Sequence, residues 1–266
     1  WMMVRCHREK SRVEKHREPV LVWQEPAVQE NSGCSFEVYQ GECLVVQAAE
    51  NGQFGHITDI LTGRCPMGDT QIKMGERRIR CVPADCRVAV VSELAARTMI
   101  FPELSYMENL CMCLARRMPF LWAGRKIRRN IRKEYAGYLG EEVFDLPVEE
   151  LSEKQKYQMI YTRVLLQKPR VVFCIHPFQG ADVAHRMFVW SMLEMLLDQG
   201  IAVVIVSVSL SDSLALADRL LILEKGGTQT QIPRERFDTI SAKVPWTHLY
   251  GSPEYTGSVE IPEKIC

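Results

Sequence analysis

Two short runs in the second half of the chain hold nothing but apolar residues, VVFCI at 171–175 and IAVVIV at 201–206. A strand with one wet face alternates apolar and polar residues; one with no polar residue is covered on both faces. Between the two runs, 183–199 has the length of a helix and stops at Gly200, which accepts the left-handed backbone that closes helices. Strand, helix, strand in that order gives parallel strands with a crossover helix. A third apolar run, 43–48, follows a turn at Gly41 and Glu42 and precedes a polar loop at 49–55 and a helical stretch ending at Gly63. That order places the loop where a phosphate would sit on a helix N-terminus. Residues 87–91 and 219–223 supply further strands, and the pattern predicts an α/β fold with a mostly parallel core sheet.

The remaining segments are read more coarsely. Residues 1–18 are polar and charged, a linker or disordered end with no apolar stretch of signal-peptide type. A chain that opens on Trp reads as a fragment or as lacking its true start. Residues 19–23 and 34–38 carry strand signals, 64–87 short β and turn signals, and 103–165 are mostly helical. Residues 210–217 read as helix, and 229–266 as a peripheral tail. The stretch 125–133 holds six basic residues interleaved with Ile127 and Ile131 at i, i+4. That is either one apolar stripe on a solvated helix or a contact surface for an anionic partner or membrane.

Lys plus Arg equals Asp plus Glu, 33 of each, so no basic excess argues for nucleic acid. No apolar run approaches the roughly 20 residues of a membrane span. The ten cysteines include no CxxC pair and no spacing with histidines of zinc-ligand type, so they read as reduced structural thiols, with no metal site.

Local text adds a resemblance. Residues 151–186 begin LSEKQK and align without gaps on the signature-to-D-loop segment of ATP-binding cassettes, whose pattern there is LSGGNQQK. Leu151, Ser152, Arg163, Leu165, Pro169, Val171, Pro177, Gly180, Asp182 and Val183 match in register. Residues 89–110 resemble the Q-loop region, with Glu93 at the Q-loop position and Ser105 through Leu110 following the family's SVxENI. Residues 200–226 resemble the last core strands. Over about residues 3–228 the chain resembles the nucleotide-binding subunits of ABC importers for simple sugars and nucleosides, and most of all their second cassette.

The resemblance implies a P-loop NTPase cassette at 19–228, with an antiparallel β portion and a helical subdomain at about 98–160. It also implies losses. A P-loop needs glycines to wrap phosphates, Lys for their charge and Ser or Thr for Mg²⁺. In the gapless register Ala48 replaces the first Gly, Gln53 the second, Phe54 the Lys and Gly55 the Ser/Thr. One shifted register makes Gly52 the glycine before a Lys-equivalent Gln53; another makes Gly55 that glycine, followed by His56 and Ile57. None supplies Lys followed by Ser or Thr. Candidate nucleotide contacts are therefore Ala48, Asn51, Gly52, Gln53, Phe54, Gly55, His56 and Glu93, with Trp23 beside the adenine.

The Walker B Asp position holds Ile175 and the catalytic Glu position His176, so no catalytic residue is assigned and Mg²⁺ is not expected. The H-loop histidine position falls at Val208. The signature Leu151, Ser152, Glu153, Lys154, Gln155 replaces two glycines that approach the opposite subunit's ATP, and Gly180 and Asp182 mark the D-loop. Weak ATP binding without hydrolysis is the expectation, a pseudo-ATPase. The implied partners are a second cassette and a membrane permease, at the inner face of the cell membrane, with no nucleic acid. The other reading is a regulator or scaffold that keeps the fold as a binding surface.

Overall fold

The computed structural model describes residues 18–26, 33–48, 51–112, 120–208, 210, 212–224 and 228–239. The expectations for 1–17 and for 240–266 lie outside them. Among the described residues, ten strands and six α-helices follow in the order β1 Leu21–Gln24, β2 Ser35–Val38, β3 Cys43–Ala48, α1 Asn51–Thr62, β4 Gln71–Met74, β5 Arg77–Ile79, β6 Val88–Val91, α2 Ala95–Thr98, α3 Tyr106–Met112, α4 Phe120–Leu139, α5 Glu153–Gln167, β7 Val171–Ile175, α6 Val183–Asp198, β8 Ala202–Ser207, β9 Arg219–Leu223 and β10 Gln229–Pro233.

The core sheet has the order β10-β9-β3-β8-β7-β6. Every pairing in it is parallel except β10 on β9. The all-apolar runs lie in its middle, where both faces are covered. Odd and even residues divide cleanly. Leu44, Val46, Phe173, Ile175, Val204 and Val206 face one core, and Val45, Val172, Cys174, Val203 and Ile205 face the other. The first core is closed by α1 and by a four-stranded antiparallel sheet, β2-β1-β4-β5. The second is closed by α5 and α6. A third cluster, around Tyr106, Leu110, Ile131, Phe144 and Met159, makes the helical subdomain from α3, α4 and the start of α5.

Two elements differ from the sequence reading. Residues 212–216 form hydrogen-bonded turns rather than helix, with Leu214 N donating to Leu210 O and both Leu216 N and Ala217 N to Ser213 O. Asp212 and Ser213 are residue types that compete with helix by bonding local backbone. Residues 229–239, expected in a tail, belong to the domain. β10 extends the sheet edge, and buried Arg234 donates through Nη1 to Ala217 O and through Nη2 to Ala215 O at 3.2 Å. The strand text, QTQIP, is mostly polar because β10 is an edge with little buried face, so it gives no periodic signal.

A polar clamp joins the start of β3 to β9. Asp218 Oδ2 accepts from Cys43 N at 2.9 Å, and Arg219 Nε donates to Glu42 Oε1 at 2.8 Å. Glu42 is fully buried, and burial pushes its carboxyl above the usual range against the pull of Arg219.

Candidate functional site

The site is built where β3 hands over to α1. The sequence suggests a loop over 49–55, but α1 begins at Asn51. Gly52, Gln53, Phe54, Gly55 and His56 therefore lie in helix, and only 49–50, outside the described residues, separate the helix from Ala48. The first-turn N–H groups of a helix point out of its N-terminus, so any backbone cradle for a phosphate at the start of α1 would come from these residues, with no lysine among them. Phe54 packs against the core on this face of the sheet. Its ring lies 4.3 Å from the His176 ring, tilted by 45°. Gln53 Nε2 donates to Glu224 O at 3.4 Å. His56 points elsewhere, its Nε2 3.0 Å from Glu25 Oε1 on the antiparallel side. Burial raises the Glu25 carboxyl above its usual value, while the charge of His56 pulls it down.

At the end of β7, Ile175 is 4% exposed and part of the same core. His176 follows with φ 46°, a left-handed backbone unusual for a residue with a side chain. Its N–H donates to Val206 O at 3.0 Å, and its Nδ1 lies 3.4 Å from Ser207 Oγ. Burial lowers the imidazole below its ordinary value, and the charge of Glu93, in the turn after β6, partly opposes this. At neutral pH the ring is uncharged.

These residues do not fit a magnesium nucleotide. Ile175 has no ligand atom, Phe54 brings no charge, and the face of His176 is covered by an aromatic ring. Among the described residues no group of three or more His, Cys, Asp or Glu is placed to hold a metal ion.

The signature segment forms a helix start of its own. Ser152 caps α5: its Oγ accepts from Gln155 N at 3.3 Å, and its N–H donates to Gln155 Oε1 at 2.9 Å. Leu151 is buried in the helical subdomain. Glu153 is exposed and pairs with Lys156 at 2.8 Å, and Lys154 Nζ sits 5.8 Å from the Phe188 ring centre. A carboxylate thus occupies the first turn of a helix whose N-terminus would otherwise attract an anion. Gly180 turns with φ 67°, and Asp182 caps α6 by accepting from His185 N at 2.7 Å.

Trp23 corrects an expectation. Rather than lying open beside an adenine, it is fully buried, with its ring 5.6 Å from Phe36 and 6.2 Å from Phe173. An alternating strand of an antiparallel sheet turns every second residue inward, and Trp23 falls on the inward side. Three contacts had no signal in the sequence: Phe54 with His176, Glu25 with His56, and the buried Asn109. Asn109 accepts from Phe101 N and donates to Phe101 O, each at 2.9 Å. Asn109 does stand in the motif 105–110, but its role there is to hold the loop before it.

No protein-family model matches the chain. It is similar to a ribose import ATP-binding protein of Geobacillus kaustophilus, 23% identical over 77% of this chain and 43% of that protein. It is also similar to a xylose import ATP-binding protein of Burkholderia ambifaria, 28% identical over 72% of this chain and 38% of that protein. The chain thus spans about two fifths of the length of these relatives. Among solved structures, an ATP-binding cassette of an ABC transporter in its ADP conformation superposes with a TM-score of 0.65 at 16% identity, covering 83% of this chain and 93% of that one. A nucleotide-free cassette from an ABC transporter superposes with a TM-score of 0.63, covering 84% and 96%. The fold is therefore that of an ATP-binding cassette, and the relatives are sugar-import ATP-binding proteins.

Proposed function

We propose that this chain, with the ATP-binding-cassette fold, is a cassette subunit or half-subunit of a carbohydrate or nucleoside importer that couples to a permease and hydrolyses little or no ATP itself. The observation that carries the reading is the ring of Phe54 against His176, beside Ile175. Apolar and aromatic packing fills the positions from which a cassette contacts the charged end of its nucleotide. The signature end supports the same conclusion, because Glu153 and the internally satisfied Ser152 offer little to a partner's triphosphate.

What remains suits mechanical coupling. Glu93, exposed Leu94 and exposed Phe101 lie around α2, where core sheet and helical subdomain meet. Arg163 of α5 donates to Met99 O and stands over the Phe101 ring at 6.0 Å, so movement of the subdomain would be felt there. No described helix is long and apolar enough to cross a membrane. The proposed place of work is the inner face of the cell membrane, beside a second cassette.

The test is calorimetric titration with ATP, with and without Mg²⁺, followed by co-purification with a permease and second cassette from the same operon. We expect no binding up to millimolar ATP and stoichiometric co-purification. Micromolar binding that tightens with Mg²⁺ would overturn the loss of chemistry. Absence of any permease partner would overturn the transport role and favour a regulatory scaffold.

A further inference from the structure

Helix α4 carries six basic residues and one acidic residue within a chain whose net charge is zero. Its orientation is fixed by what it buries. Ile131 and Leu139 are core residues of the helical subdomain, and Ile127 and Tyr135 pack against the same cluster. With 3.6 residues per turn, those four make one stripe, and Arg125, Arg129 and Lys133 make another on the opposite side, with Lys126 beside it. All four of these cations are exposed.

The contrast with the helix's other charges is sharp. Arg132 is engaged by its own domain, 3.1 Å from Glu141, 2.7 Å from Asp145 and 5.3 Å from the Phe144 ring centre. Arg128 approaches Glu108 at 3.8 Å. The outer row instead sets Arg125 against Arg129 and Arg129 against Lys133 at i, i+4, like-charge pairs that work against the helix. An anionic plane laid along the row would relieve that repulsion at every position together.

A row of long, flexible cations along one exposed face suits the headgroup layer of a bilayer, where each reaches a phosphate of the same plane. Nucleic acid fits less well, since it calls for basic residues from several elements and a basic domain.

We propose that the outer row of α4, Arg125, Lys126, Arg129 and Lys133, is a docking surface for the anionic lipid headgroups of a membrane. The contact is electrostatic and local. It does not depend on a permease or on nucleotide.

The test is co-sedimentation of the full chain with vesicles of phosphatidylcholine alone and of phosphatidylcholine with phosphatidylglycerol in equal parts, at low and at high salt. Binding is expected only to the mixed vesicles and only at low salt. Replacing Arg125, Arg129 and Lys133 by Gln together should reduce the partition coefficient by about a hundredfold. Replacing Arg77, Arg78 and Arg80, the exposed basic residues on and beside β5, should leave it nearly unchanged. Circular dichroism melts would establish that both triple variants stay folded. Equal loss in the two variants, or equal binding to uncharged vesicles, would overturn the proposal. So would a single-stranded oligonucleotide that binds the chain more tightly than the vesicles do and loses that binding in the α4 variant.

Discussion

His176 holds a left-handed backbone that side chains rarely adopt, and its imidazole is half-buried between Phe54 and Ser207. Burial holds the ring neutral, so its pKa in the folded chain is lower than in the unfolded one. As pH falls through about 6.5, the unfolded chain takes up a proton that the folded chain resists. Stability is therefore lost toward acid, at up to about 1.4 kcal/mol per pH unit for one such group. His176→Asn removes the titrating group while keeping a residue type that tolerates positive φ. Urea unfolding of both proteins between pH 7 and pH 5 should show a shallower decline in the variant; an unchanged slope would remove His176 as the cause. At the opposite side of α1, burial raises the Glu25 carboxyl, but Glu25 and its partner His56 are the same in both proteins, so their contribution cancels in this comparison.

Secondary-structure elements report a division between what text encodes and what context imposes. β3, β7 and β9 fall within a residue of the apolar runs that predicted them, because a strand covered on both faces has no freedom in composition. At the start of α5, Ser152 and Gln155 form a reciprocal cap, although the sequence presents them only as part of the signature segment. Ser152→Ala should lower stability by about 1 kcal/mol in denaturant unfolding, and a change well below that would show the cap to be unimportant. β10 was illegible because its face is wet. The start of α1 was illegible for another reason. A phosphate loop and the first turn of a helix draw on the same small and polar residues, and Asn51, Gly52 and Gly55 suit both. The burial of Trp23 depended on the strand's register, which no single residue announces.

At the scale of the whole molecule, β3 sits between β8 and β9, and its first peptide group is bonded to Asp218, 175 residues away. Neither neighbour of β3 in the sheet is its neighbour in sequence. A chain shortened to end at residue 208 would lose β9, β10, Asp218 and Arg234 together. It should show no cooperative transition in urea, by fluorescence or by circular dichroism; a sigmoidal curve of native steepness would show that the last strands are dispensable. The same arrangement sets a timetable during synthesis. Once β3 has left the ribosome it has to wait for more than 150 further residues before its partners exist. At about 5–20 residues per second that wait is on the order of ten seconds or more. Through it, CLVVQA remains an apolar segment with unsatisfied backbone on both edges. The nascent domain is thus most exposed to aggregation until β9 has been made, because only then do both edges of β3 have partners.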